Sequence, residues 1–563
     1  MTHSVPERSI TWEDNIRIAI KMARSMLVKV VLICYLVHTQ SSFAQNCPFK
    51  CDCFNTVNVF CSGSTIFKIP TDIPANVSEL TFVETSIEKL NNASFISHND
   101  LKKLFFVNNN INSISENAFH GLYNLSDLQI TGNPLVDLEP ETFSELPELK
   151  KLTITHNAIK VVRCRLFDKT TKLELLALQG NNITQICITA FTYLGNLREL
   201  NLGSNEITRL DFNMFGSLSN LNILKLNHNH ITQIPVGSFD KLKQLTELLL
   251  QGNHLDLIQD KCFEKLTSLK KLNLISNSIK NLPSRVFSTM HNLIWLNIER
   301  NQITDLPVGI FDGLQNVTSL SLSENQMKGI PEGVFSNLVK LEILFLSGNQ
   351  IETLQGNTFH GLESLTHLYL ENNKLRVIDG NTFKNLTGLR VISLNHNDLT
   401  MLPEGIFDPL YNMISIVLHS NPWWCDCSLL YLYKWIRENQ DLTQVSEIAC
   451  AGPQHLLEKP IKLLTQRQLD CPPQDDLQTS FKSGENTVTY GSDSDKTSVP
   501  RTCKALLVNN SSFILNCELM VCTDVNIHIS IFKESKNKTY YHSYTNEGSG
   551  CAVTNVNFTI TTT

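Results

Sequence analysis

The chain has 563 residues and a formal net charge of −7, with 18% charged and 8% aromatic residues. A mildly acidic surface argues against a nucleic-acid or anionic-membrane ligand; it suits a basic partner, although solubility alone also explains it. Length by itself suggests several domains, but an internal repeat overrules that expectation, because a stack of like units grows without adding separate cores.

In chain order, residues 1–21 are polar and read as neither a leader nor a folded segment. Arg24, the apolar run Met26–Val37 interrupted by Lys29, and the small-residue end Ser42-Phe43-Ala44 then read as a signal peptide, cleaved after Ala44. The run is too short to span a membrane. Met22 is the expected start, with an unusually long leader from Met1 as the alternative. Residues 45–76 form a cysteine-rich cap, with Cys47, Cys51, Cys53 and Cys61 followed by Ile66, Ile69 and Pro70. Spacing alone leaves three disulfide connectivities open, and a zinc cluster is the other reading of four cysteines. A cap covers the apolar end and unpaired strand edge of the first unit.

Residues 77–420 carry the repeat. After a degenerate unit, Val77–Asp100, thirteen units of 24 residues run without insertion from Leu101 to Asn412. Each approximates L-x-x-L-x-L-x-x-N-x-I/L-x-x-L-x-x-x-x-F-x-x-L-x-x, and one column stays asparagine from Asn109 to Asn397 and again at Asn421. The pattern resembles the leucine-rich repeat, and its period implies a solenoid. In the unit Leu293–Asn316, the spacing of two around Leu296 and Ile298 predicts a short strand, and Asn301 is expected to turn the chain out of it. An asparagine amide both donates and accepts, so a stacked column can satisfy buried backbone groups. Pro235, Pro283, Pro307, Pro331 and Pro403 argue against long outer helices. The expected fold class is an α/β solenoid: a horseshoe with a parallel β-sheet on its concave face.

Residues 421–471 read as the matching cap, with Cys425, Cys427, Cys450 and Cys471 and a predicted helix, Ser428–Glu438, whose Leu429, Leu430, Leu432, Tyr433 and Trp435 cover the last unit. Residues 472–500 read as a polar linker. Residues 501–563 read as a small β module with strands over Ser512–Leu519, Val525–Phe532 and Val553–Ile560, stapled by Cys503, Cys517, Cys522 and Cys551. Thirteen of sixteen cysteines lie outside the regular units, which points to an oxidising compartment. Within the units, Cys164 and Cys187 occupy facing outer positions of adjacent repeats and are expected to bond. Cys262 reads as simply buried, with an intermolecular bond as the alternative.

Ten N-x-S/T sequons occur, at Asn76, Asn92, Asn124, Asn182, Asn316, Asn385, Asn509, Asn510, Asn537 and Asn557. None of those inside the units falls at a strand position. A sugar-free concave face suits binding, although strands tolerate few sequons in any case. No catalytic constellation is visible. His360 and Glu363 have zinc-pair spacing, but they belong to the repeated F-x-x-L segment and imply no third ligand. No cofactor or metal is expected. On the concave face, where most projecting residues are small or polar, Trp295, Glu299, Ile343, Phe345, His367, Tyr369 and Val391 stand out. Exposed aromatics there are expected to anchor a protein partner. Phe105 with Val107, and Leu249 with Ile275, form weaker patches.

The ends narrow the reading. Cys47-Pro-Phe-Lys-Cys-Asp-Cys-Phe54, Val59-Phe-Cys-Ser62, Asp72-Ile-Pro74, Phe82-Val-Glu-Thr-Ser86, Leu418-His-Ser-Asn-Pro-Trp-Trp-Cys-Asp-Cys427 and Cys450-Ala-Gly-Pro453 resemble the regulatory subunits of carboxypeptidase N, as does the four-cysteine tail. The likeness extends over nearly all of the chain from Cys47 onward; Phe82–Ser86 and the tail are its specific parts. It implies the pairs Cys47–Cys53, Cys51–Cys61, Cys425–Cys450 and Cys427–Cys471. It also implies a non-catalytic, glycosylated plasma subunit that stabilises a zinc carboxypeptidase acting on C-terminal Arg or Lys, in a tetramer of two heterodimers. A soluble ligand-binding receptor of innate immunity or the extracellular matrix is the alternative; an enzyme is the least favoured.

Overall fold

A chain that alternates inward leucines with outward polar residues forms a strand only if a neighbour supplies its hydrogen bonds. Here the next repeat supplies them. The computed structural model describes residues 47–55, 57–439 and 448–469, together with the backbone of tail strands 486–488, 498–509, 512–521, 525–533, 536–544 and 552–561. By chain contacts it divides into two units, residues 1–471 and 472–563.

In the first unit, 17 strands make one sheet. Its first pair, Cys51–Asn55 with Asn58–Ser62, is antiparallel; from Asn58–Ser62 onward every pairing is parallel. Register advances by one repeat at each step, so Trp295 faces Ser319, which faces Ile343, then His367, Val391 and Ser415. The predicted strand appears as Trp295–Asn297. Opposite the sheet, the outer arc is built of turns and three two-stranded ladders of two-residue strands, such as Lys89–Leu90 with Ser113–Ile114. That arrangement accords with the prolines.

The turn out of each strand differs in detail from the sequence expectation. The residue before the column asparagine, not the asparagine itself, takes the left-handed conformation. From Asn108 to Ser420, every one of these residues has φ between 52° and 70°. Four of them are glycine, Gly132, Gly180, Gly252 and Gly348, the residue type for which this region costs least. The asparagine then ties the turn down. Asn301 Nδ2 donates to the carbonyls of Leu274 (3.0 Å), Ile298 (3.0 Å) and Glu299 (3.1 Å). Its Oδ1 accepts the N–H of Ile279 at 3.1 Å. Leu274 and Ile279 belong to the preceding unit, so each asparagine stitches two repeats together. At the N-terminal edge, Thr85 instead gives both its N–H and its hydroxyl to Asn109 Oδ1.

Inside the arc, the conserved spacing of phenylalanine produces a stacked ladder. Phe119, Phe143, Phe167, Phe191, Phe215, Phe239 and Phe263 lie at successive centroid spacings of 5.9 to 6.4 Å. A second run continues from Phe287 to Phe407. The C-terminal cap closes it. A 3-10 turn, Cys427–Leu429, leads into the helix Leu430–Glu438, placing Trp435 at 5.0 Å from the Phe407 ring. Tyr431, one turn earlier, accepts the Phe407 N–H and donates to Asp408. Leu429, Leu432, Tyr433 and Ile436 are buried, whereas Leu430 is only partly so.

Disulfides join Cys47 to Cys53, Cys51 to Cys61, Cys164 to Cys187 and Cys425 to Cys450. Cys427 is also disulfide-bonded, and its expected partner Cys471 lies outside the described residues. Cys262 is a free thiol with 1% exposure, so an intermolecular bond through it is ruled out in the folded chain. The expected upstream segment and signal peptide, residues 1–44, also lie outside the described residues.

In the second unit, strands Ser498–Asn509, Ser512–Val521 and Ala552–Thr561 form an antiparallel sheet edged by Asn486–Val488, and Val525–Lys533 pairs with Lys536–Tyr544. Asn486–Val488 and the start of Ser498–Asn509 thus fall within the stretch expected to be linker. Cys503 and Cys517 share a register position, while Cys522 and Cys551 lie outside the described residues.

Two outcomes follow. Asn301→Ala leaves several buried backbone groups without partners and should cost about 3 kcal/mol, read as a lowered urea midpoint; an unchanged midpoint would remove the column from its stitching role. Burial pushes the Cys262 thiol up to about 12, so iodoacetamide at mildly alkaline pH should leave it unmodified until the chain is denatured, as peptide mapping would show.

Candidate concave binding face

On a parallel sheet, residues one repeat apart stand side by side, so the concave surface is a grid. Across the later units, one row runs Lys271, Trp295, Ser319, Ile343, His367, Val391, and the next runs Asn273, Asn297, Ser321, Phe345, Tyr369, Ser393. A third row, just past the strands, contains Glu299, Ser323, Ser347 and Glu371.

Five of the seven residues singled out in the sequence adjoin one another, and the other two stand apart from them. Ile343, Phe345, His367, Tyr369 and Val391 form one continuous patch on three neighbouring strands. The Phe345 and Tyr369 rings stack at 4.8 Å with planes 7° apart, and His367 lies 6.4 Å from Tyr369. Trp295 and Glu299 stand apart from this patch, on the far side of the strand Ser319–Ser321. That strand presents serines only, and Ser321 and Ser323 are buried. The result is a trough one strand wide, with a hydroxyl floor, between two taller walls.

The aromatics are not openly exposed, contrary to the sequence expectation. All seven residues are half-buried. Lateral packing is the cause: Phe345 and Tyr369 cover each other, and the Lys271 ammonium sits 5.3 Å from the Trp295 ring centre while pairing with Glu247 at 3.1 Å. Phe105, Val107, Leu249 and Ile275 are likewise half-buried. The most exposed large apolar residues, including Phe49, Val308 and Tyr411, lie off this face.

The electrostatics were not legible as a site. Arg300 forms a two-pronged pair with Glu324, through Nε at 2.8 Å and a terminal nitrogen at 3.1 Å. Glu299 is 3.7 Å from Arg300 and accepts from the Ser321 hydroxyl at 3.3 Å. Burial, reinforced by the neighbouring Glu324 charge, nevertheless raises its pKa above the ordinary glutamate value. Burial, then the Glu371 charge, likewise raises Tyr369. Glu371 itself was missed by sequence reading; it is half-buried, and its Oε2 is buried without a hydrogen-bond partner among the described residues. The signal that could have found it is its place in the third row, two residues after Tyr369.

All six sequons among the described residues of the first unit, Asn76, Asn92, Asn124, Asn182, Asn316 and Asn385, lie off the concave strands. Asn124 and Asn316 sit on loops, donating to the carbonyls of Asn99 and His291. In the tail, Asn509, Asn537 and Asn557 fall within strands, and Asn510 lies outside the described residues. His360 is exposed on an outer turn, and among the described residues no three metal-ligating side chains converge. No helix among them is long and apolar enough to cross a membrane.

A leucine-rich repeat family model matches overlapping segments from residue 75 to residue 422. Human carboxypeptidase N subunit 2 is 40% identical over 65 residues, which is 12% of this chain and 12% of that protein. The match is thus far narrower than the likeness expected from the sequence. A leucine-rich repeat protein of Leptospira interrogans is 28% identical, with a TM-score of 0.57 over 67% of this chain and 92% of that one. The Toll–Spatzle complex of Drosophila, at 22% identity and TM-score 0.56 over 76% of this chain and 63% of the other, shares the fold.

Glu299 gives a pH test. Its pKa is raised in the fold, so the folded state holds the proton more tightly than the unfolded chain, and stability falls as pH rises above the ordinary glutamate value of 4.5. Glu299→Gln should therefore raise the melting temperature at neutral pH, and the gain should vanish below about pH 3.5, where both states are protonated. A gain that persisted at low pH would point to packing instead.

Proposed function

Because the chain belongs to the leucine-rich repeat family, in which recognition rests on an extended concave surface, we propose that it is a secreted, non-catalytic subunit that binds and stabilises the catalytic chain of a zinc carboxypeptidase. The observation that carries this reading is the identity to carboxypeptidase N subunit 2. The disulfide-closed caps support an oxidising, extracellular location. The patch Ile343, Phe345, His367, Tyr369 and Val391, with Trp295 and Glu299 across the trough, is the proposed docking surface; flat, rigid rings anchor a partner at low entropic cost. In this reading the solenoid leaves hydrolysis of C-terminal Arg or Lys to its partner's metal. The assembly contains two heterodimers and circulates in plasma, with sugars on the loops. No nucleic acid or membrane takes part.

A soluble ligand-binding receptor is the second reading, and it draws on the fold shared with Toll in its complex with Spatzle. One capture experiment separates the two. Immobilised full-length chain, exposed to the catalytic subunit of carboxypeptidase N, should retain an activity that releases C-terminal arginine and is lost on zinc chelation. The retained enzyme should also outlast the free enzyme at 37 °C. Phe345→Ala with Tyr369→Ala should weaken retention by about tenfold or more. Failure to retain the enzyme defeats the subunit reading, and arginine release by the isolated chain defeats its non-catalytic part.

A further inference from the structure

The concave patch carries a chemical mismatch that the described residues do not resolve. Glu371 follows Tyr369 by two residues, so both project from the same face of one strand and its continuation. Among the described residues its Oε2 is buried without a donor. Leaving a carboxylate oxygen desolvated and unpaired is unfavourable by more than a neutral group would be. The paired cations of the concave face lie farther along it, three and four strands from Glu371: Arg300 is held by Glu324, and Lys271 by Glu247 and the Trp295 ring. Glu299 adds a second carboxylate on the other side of the trough, so this end of the face carries more negative charge than the chain neutralises by its own ion pairs.

Beside Glu371 stands the Phe345–Tyr369 stack, with rings 4.8 Å apart and nearly parallel. A planar ring next to an under-paired carboxylate matches one side chain better than any other. The arginine guanidinium is flat, stacks on aromatic rings, and donates two parallel hydrogen bonds to a carboxylate. A lysine ammonium meets the charge but not the shape. The last torsion of a glutamate is broad, so the Glu371 carboxylate can turn to meet an arriving donor. Ser347, next to Glu371 in the same row, and Ser323 beyond it leave room for the backbone that would carry such a residue.

We propose that Tyr369 and Glu371 form a receptor for an arginine side chain presented by a protein partner, the guanidinium lying against the Tyr369 ring and bridging to the Glu371 carboxylate. The inference rests on the reading that this face docks a partner, and it names the chemistry of that partner's anchor. Charge complementarity selects the occupant: an acidic, aromatic cradle on an acidic chain of formal charge −7 takes a basic group.

The test uses the full chain and a synthetic pair of extended dodecapeptides, leucine-flanked, that differ only in a central arginine or citrulline. Citrulline keeps the shape and loses the charge. The arginine peptide should be retained at least tenfold more strongly than the citrulline peptide, with retention falling as salt rises. Glu371→Gln should abolish the difference without lowering the melting temperature, since it removes an unpaired carboxylate rather than a structural bond. Tyr369→Ala should weaken the arginine peptide and leave the citrulline peptide unchanged. Equal retention of the two peptides, retention of neither, or full discrimination by the Glu371→Gln chain would overturn the proposal. Capture of the carboxypeptidase chain reads the subunit assignment separately. If that chain is held while the peptides are not distinguished, the arginine receptor fails and the subunit reading stands.

Discussion

Lateral hydrogen bonding through one asparagine per repeat is the constraint on which the rest of the molecule depends. Asn301 donates to Leu274 and accepts from Ile279, both in the unit before it. The same bonds recur at Asn325, Asn349, Asn373, Asn397 and Asn421. A unit longer or shorter by one residue would present its amide at the wrong level, and buried N–H and C=O groups on two repeats would go unpaired. That accounts for a period of 24 held without insertion over thirteen units. It also explains the left-handed residue before each asparagine, because only that turn delivers the amide beneath the preceding strand.

Once the period is set, neighbours on every surface are decided. Side chains 24 positions apart touch, which is why Lys103 pairs with Glu79, Lys172 with Glu148 and Lys271 with Glu247. The same step places His230 over His254, with ring centres 5.2 Å apart, and hands His230 Nε2 to Glu206 at 3.2 Å. These exposed pairs contribute little to stability individually. In the later units, one strand offers serines and the next two offer rings, and that contrast creates the trough.

Much of the architecture was legible because a solenoid converts sequence spacing directly into spatial adjacency. The Cys164–Cys187 bond followed from positions one repeat apart, and the short strand at Leu296 from its period of two. The placement of Trp435 and Tyr431 over Phe407 was harder to see, since a cap helix is not part of the repeat. The sequence correctly put Ile343, Phe345, His367, Tyr369 and Val391 on one face, yet it overstated their exposure. Spacing says which direction a side chain points; it does not say how far its neighbours lean over it. Glu371 went unnoticed for the same reason, because an unpaired oxygen is a property of surroundings rather than of residue type.

By itself, then, the amino-acid order determined the period, the inward leucines and phenylalanines, the concave sheet and the closing cysteine clusters. Those features depend on alternation and repeat length, which are local quantities. Only the tertiary structure decided which backbone position takes the left-handed turn, how Lys271 shields Trp295, and where a carboxylate is left without a donor. These depend on side-chain reach and lateral crowding between repeats, which no one-dimensional pattern encodes.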